Sequence, residues 1–410
     1  MNYHFDEIIE RRGTGCVKWD ESPAIVQGSK LKAQSSLIPL WVADMDFAVA
    51  PAIQEAIRRR AQHPVFGYTH VQDDYYEAVI SWFKRRHQWP VEREWIQYTT
   101  GVVPAMTVAI KALTMPGEKV LILSPDYNCF FSSIKNNGCE VAECVLRFSR
   151  SSEVDKGVLR FSRSSNRFEV DWAAFEQQCA DEKTTVFLLC NPHNPTGRVW
   201  TREELQRMAD ICHLHHVRIV SDEIHCELVM PGHTFVPMGT VDADAVILNS
   251  PSKSFNIAGL MMANIICRDP ATRRRLNRAI NINEVCDVNP FAPEAVKAAY
   301  NDSEDWIDSL NAYLWDNYNA LCDFVAQQLP QWNVMPLEGT YLAWIDVSAA
   351  CSVNGDSVAV YCDRILREDK VWLNPGTMYG PQSGEGYLRI NLACPRSLLL
   401  EALKRIKNGI

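Results

Sequence analysis

Five short apolar runs, separated by segments of helical periodicity, constrain this chain more than any other feature. They are KVLIL (119–123), TVFLLC (185–190), VRIV (217–220), AVILN (245–249) and ANIIC (263–267). Each is continuous rather than alternating, as expected of strands buried on both faces of a parallel sheet. Between the second and third lies TREELQRMADICHLHH, in which Thr201 and Glu204 have capping-box spacing ahead of a 3.6-residue apolar pattern. Strands alternating with helices predict an α/β fold.

The last quarter changes character. Residues 302–329 read as one long amphipathic helix. TYLAWIDV, a helix near 355–369, VWLNPG, YLRINLAC and a final helix follow. Strands mixed with helices suggest a smaller α+β domain. The expected division is a large domain over 48–290 and a small one built from 1–47 with 291–410. The octapeptide VLRFSRSS occurs twice, at 145–152 and 158–165. One isolated copy cannot build a solenoid, so it reads as a hairpin extension or a surface loop.

Composition excludes several functions. A net charge of -9 argues against a nucleic-acid partner, whose phosphates demand a basic face. No apolar run reaches the length of a membrane span, and MNYHFDEIIERRG lacks an apolar signal core. Fourteen cysteines without a CxxC pair read as core residues of a reducing, cytoplasmic compartment. Cys212 and His216 are helically spaced, but no further ligands accompany them, so no metal site is expected.

In parallel α/β sheets ligands bind beyond the carboxyl ends of the strands. There this sequence places Tyr127 (SPDY), Asn191 and Asn194 (NPHNPTG), Asp222 and His225 (SDEIH), and Ser250, Ser252 and Lys253 (SPSK). Singly, each has a plain reading as a solvated lysine, a helix cap or a turn. Together they suit pyridoxal 5'-phosphate. A desolvated lysine can form a Schiff base, a carboxylate can hold the pyridine nitrogen protonated, and an aromatic ring can stack on the cofactor. Serines and the helix start after Gly101, with the amides of Val102 and Val103, can take the phosphate.

Several longer motifs carry a family resemblance: RRGTGCVKWD, PLWVADMDF, VFGYT, TTGVVPAM, PHNPTGRVW, SDEIH, SPSKSFNIAGL, GTYLAWID and RINLACPRS. The chain resembles fold-type I pyridoxal-phosphate enzymes of the class I/II aminotransferase superfamily. Within them it is most similar to the MalY/PatB-type cystathionine β-lyases, the C–S lyases. The resemblance implies Lys253 as the Schiff-base lysine, Asp222 as the partner of the pyridine nitrogen, and Tyr127 as the stacking aromatic. Asn194 and His225 would serve the phenolic oxygen. Ser250, Ser252, Val102 and Val103 would serve the phosphate, joined by Tyr68 from the neighbouring subunit of a homodimer. It further implies that Arg389 binds the substrate α-carboxylate beside the backbone of Ala43.

Two departures stand out. Met261 replaces an arginine that many aminotransferases carry, and Asn128 stands where some C–S lyases have a second tyrosine. The implied reaction is β-elimination from an S-substituted cysteine. Transamination with a keto acid is the alternative, and a purely regulatory or binding role on the same fold is the third reading.

Overall fold

The computed structural model describes residues 3–21, 36–149 and 166–409. At its centre is a seven-stranded sheet of β1 (Ile96–Thr99), β2 (Lys119–Ser124), β3 (Glu140–Val145), β4 (Thr184–Cys190), β5 (Arg218–Asp222), β6 (Val246–Asn249) and β7 (Ala263–Ile266). The spatial order is β1-β7-β6-β5-β4-β2-β3. The pairs from β3 through β6 are parallel. The run ANIIC departs from the parallel expectation, because β7 is antiparallel to both β6 and β1. An apolar run reports burial on two faces, not direction, so the reversal leaves no trace in composition.

Two-sided burial is visible residue by residue. Val120 and Ile122 of β2 and Val186 and Leu188 of β4 join one apolar cluster. Their neighbours Leu121, Leu123, Phe187 and Leu189 join the other. This is the period-2 alternation of strand side chains with both faces covered. Helix α2 (Val102–Leu113) covers the first face, together with the helix Pro270–Ile282. Helix α3 (Arg202–Leu214) lies on the second, and its expected capping box is formed. Thr201 Oγ1 accepts the Glu204 amide at 3.2 Å while Glu204 Oε2 accepts the Thr201 amide at 2.9 Å.

The expected long helix is α5 (Glu304–Gln328), preceded by α4 (Ala292–Asp302). Helix α4 packs on α1 (Asp73–His87) and on the helix Pro51–Ala61. A second sheet follows, with β8 (Asn333–Val334), β9 (Leu342–Asp346), β10 (Asn374–Pro375) and β11 (Tyr387–Asn391) in the order β8-β9-β11-β10. All its pairs are antiparallel.

Arg147–Ser149, within the first VLRFSRSS copy, pairs antiparallel with Arg167–Glu169. Residues 150–152 of that copy and all of the second lie outside the described residues. Among the described residues no helix is long and apolar enough to cross a membrane.

Candidate active site

The carboxyl ends of β2, β4, β5 and β6 open onto one cavity of about 240 Å³. Tyr127, Asn194, Asp222, His225, Ser252 and Lys253 line it, together with Ala43 and the start of α2 at Gly101, Val102 and Val103. Ten of the twelve expected site residues are therefore in it or at its edge, as Arg389 contacts Asn194. Neighbouring parallel strands fix part of this arrangement by register. Cys190, the last residue of β4, stands beside Asp222, the last of β5.

Asp222 is buried, with Oδ1 accepting the Ile224 amide at 3.1 Å. Burial pushes its carboxyl up to about 7, with that amide and Lys253 acting the other way. Lys253 Nζ donates to the Ala43 carbonyl at 2.6 Å. Burial lowers the lysine below its ordinary range, and Arg389 adds to this while Asp44 and Asp222 oppose it. His225 is pushed down to about 3 by burial and by the charges of Lys253 and Arg389. It is therefore neutral near pH 7, and its buried Nδ1 has no partner among the described residues.

Arg389 lies on β11 and is 4% exposed. Its Nη1 donates to Asn194 Oδ1 at 3.1 Å and its Nη2 to the Trp41 carbonyl at 2.9 Å. Helix α2 follows Gly101 with no side-chain cap, which leaves the Val102 and Val103 amides free of an intrahelical acceptor, and both residues line the cavity. Oriented amides plus the helix dipole make that end an anion site.

Two expected residues are placed elsewhere. Ser250 is buried but does not line the cavity. Its hydroxyl donates to the Met262 carbonyl at 2.7 Å and accepts the Ser252 amide at 3.1 Å, which shapes the turn before Lys253. Tyr68 is fully exposed and away from this chain's own cavity. Met261 does line the cavity, in a left-handed conformation at φ 57°.

The sequence reading missed Tyr341. It is fully buried, its hydroxyl donates to the Ala43 carbonyl at 2.9 Å, and its ring meets His225 edge-on at 5.9 Å. The GTYLAWID motif contains it, but nothing local to that strand points to a loop three hundred residues earlier. That loop is itself pinned. Asn391 Nδ2 donates to the carbonyls of Val42 and Asp44 at 2.6 Å each, and Asn256 bonds the backbone of Met45 and Phe47.

The sequence profile of the family described as aminotransferase class I and II matches residues 35–406. This chain belongs to that family. It is 36% identical over 411 residues to cystathionine beta-lyase PatB of Bacillus subtilis (strain 168), covering 99% of this chain and 100% of that one. It is 32% identical over 411 residues to protein MalY of Escherichia coli (strain K12), covering 100% and 99%. The crystal structure of cystalysin from Treponema denticola, which contains pyridoxal 5'-phosphate, superposes with a TM-score of 0.89 at 31% identity, covering 100% of this chain and 99% of that one. Fold-type I architecture in this class I and II aminotransferase chain thus agrees with its mostly parallel central sheet.

Proposed function

We propose that this chain is a pyridoxal-phosphate-dependent C–S β-lyase. It cleaves cystathionine or a related S-substituted cysteine to a thiol, pyruvate and ammonia by α,β-elimination. The observation that carries this reading is one cavity joining a lysine of lowered pKa, an acid of raised pKa and an open helix N-terminus, with a buried arginine at its edge. Full-length similarity to the cystathionine beta-lyase PatB supports the choice of reaction.

The residues fit the cofactor. Asp222 is raised because burial outweighs the opposing effects of the Ile224 amide and Lys253, and a protonated ring nitrogen would add a further compensating cation. The partnerless Nδ1 of His225 faces the same need for a polar neighbour. When bound, pyridoxal phosphate supplies an electron sink that makes the substrate α-proton acidic and lets the β-sulfur leave.

The chain's own groups do the rest. With the cofactor bound, Asp222 would hold the proton on the ring nitrogen, Tyr127 would stack on the ring, and Asn194 and His225 would serve its phenolic oxygen. Ser252 and the Val102 and Val103 amides would hold the phosphate, and Ser250 accepts the Ser252 amide and so orients it. Arg389 forks onto the α-carboxylate, a bidentate task suited to a guanidinium. Lys253, with its lowered pKa, is the general base that takes the α-proton. The Ala43 carbonyl steadies its amine, and Tyr341 steadies that carbonyl. The C–S bond then breaks, the thiolate leaves, and the three-carbon enamine product hydrolyses to pyruvate and ammonia.

The same proposal makes the protein a cytoplasmic homodimer in which Tyr68 completes the phosphate site of the neighbouring subunit. It divides the chain into a cofactor-binding part, 48–290, and a smaller part, 1–47 with 291–410. Transamination would use the same lysine, aspartate and arginine. The two reactions are separated by supplying cystathionine with and without a keto acid and measuring pyruvate and thiol.

A further inference from the structure

Arg389 sits in a closed ring of contacts that the reaction itself does not use. On the small sheet, β11 pairs with β10 so that Arg389 stands directly beside Asn374. The Nδ2 group of Asn374 donates twice, to the Trp41 carbonyl at 3.0 Å and to the Tyr379 hydroxyl at 2.9 Å. The Trp41 carbonyl also accepts from Arg389 Nη2 at 2.9 Å. The Tyr379 ring closes the circuit beneath the guanidinium, 4.7 Å from its centre. Asn374, Tyr379 and Arg389 are 5%, 1% and 4% exposed, so water does not compete for these contacts.

The backbone under Tyr379 is equally constrained. Gly376 packs so tightly that an added Cβ would lie 2.2 Å from the Gly384 carbonyl oxygen and 2.6 Å from that of Tyr387. The Tyr379 carbonyl accepts the amide of Asp126 at 2.7 Å, one residue before Tyr127. The turn that places the ring under Arg389 is therefore tied to the residue before the cofactor-facing tyrosine.

What this ring leaves open is as informative as what it closes. Nη1 and Nη2 each spend a hydrogen on a fixed acceptor, and the buried Nε–H has no partner among the described residues. A buried donor without a partner is costly unless a ligand satisfies it.

We infer that Asn374 and Tyr379 are positioning residues that hold the Arg389 guanidinium in one orientation, with the Nε–H held ready for the substrate carboxylate. They act through Arg389 and touch neither the reacting carbon nor the sulfur. This rests on the proposed reading of Arg389 as the carboxylate site. Preorganisation of this kind acts on binding, because the cost of fixing the arginine is met before the ligand arrives. Loss of the ring should therefore weaken binding of any α-amino acid and leave the chemical step alone.

The test uses the holoenzyme and three variants, Tyr379→Phe, Tyr379→Leu and Asn374→Ala. Two quantities are read: kcat and KM for cystathionine, and the dissociation constant of alanine, which has the carboxylate but no leaving group. Removing a desolvated cation–π contact should raise both KM and the alanine constant about tenfold in Tyr379→Leu. Tyr379→Phe keeps the ring and should rescue most of that loss, while Asn374→Ala should fall between them. In all three kcat should stay within about twofold, as expected when only uniform binding is lost.

In an Arg389→Lys background, Tyr379→Leu should add nothing further. An unchanged alanine constant in both Tyr379→Leu and Asn374→Ala, or a fall in kcat with KM unchanged, would overturn the positioning role. Arg389→Lys with wild-type KM would instead sink the carboxylate reading on which it rests, so the two failures are distinguishable. If Tyr379→Leu does not fold, the order of Tyr379→Phe and Asn374→Ala decides the matter.

Discussion

At the scale of single residues, the proposed chemistry rests on two groups that burial moves in opposite directions. Lys253 is lowered and Asp222 is raised to about 7. Replacing Lys253 with alanine removes the proposed general base, and steady-state turnover of cystathionine should fall by about 10²- to 10⁴-fold or more. Retained turnover in that variant would refute its role. Asp222 also leaves a signature in stability. In the cofactor-free protein, folded Asp222 keeps its proton up to about pH 7, whereas the unfolded chain releases it near an ordinary carboxylate value of about 4. Its contribution is therefore full below about pH 4 and declines as pH rises toward 7. Urea midpoints of the cofactor-free protein, measured across that window, should lose this decline in Asp222→Asn.

These two residues were legible in the sequence because each directly follows or closes an apolar run, where sheet topology places ligand chemistry. Tyr341 and Asn374 were not. Their importance comes from contacts across 298 and 333 residues, to Ala43 and Trp41, and no local pattern encodes such pairings.

At the scale of elements, the loop carrying Trp41 and Ala43 is held from below by an ionic knot. Fully buried Lys18 pairs with Asp46 at 2.7 Å, Arg11 contacts Asp44 and Asp46 at 2.7 and 2.6 Å, and Trp19 donates to Asp46 at 2.8 Å. The two motifs RRGTGCVKWD and PLWVADMDF, separate in sequence, are thus one structural unit. Breaking a buried pair by removing one partner costs about 3–5 kcal/mol. Lys18→Met should lower the free energy of unfolding by that amount in a denaturant titration. A shift below about 1 kcal/mol would mean that the Asp46 contacts of Arg11 and Trp19 suffice.

Helix α3 shows the opposite case, an element whose start the sequence predicts in detail, because a capping box is local. The direction of β7 lies between these extremes. Its burial was legible and its reversal was not, since direction depends on how the chain returns to the sheet.

At the scale of the whole molecule, one surface stands out. Val65, Phe66 and Tyr68 are 63%, 54% and 104% exposed on this chain, an apolar cluster of the kind that marks an interface. In the proposed homodimer this segment meets the neighbouring cavity at the α2 end. Sedimentation should give a dimer, and Tyr68→Ala should release cofactor more readily on dialysis while remaining dimeric. A monomer that retains cofactor as tightly as wild type would contradict the shared site.

The central claim is elimination of sulfur rather than transfer of the amino group. The most direct measurement supplies cystathionine to the holoenzyme with no keto acid and follows pyruvate and free thiol together. The proposed lyase yields both continuously, in equal amounts, over many turnovers. Product formed only when a keto acid is added, with no thiol released, would contradict it.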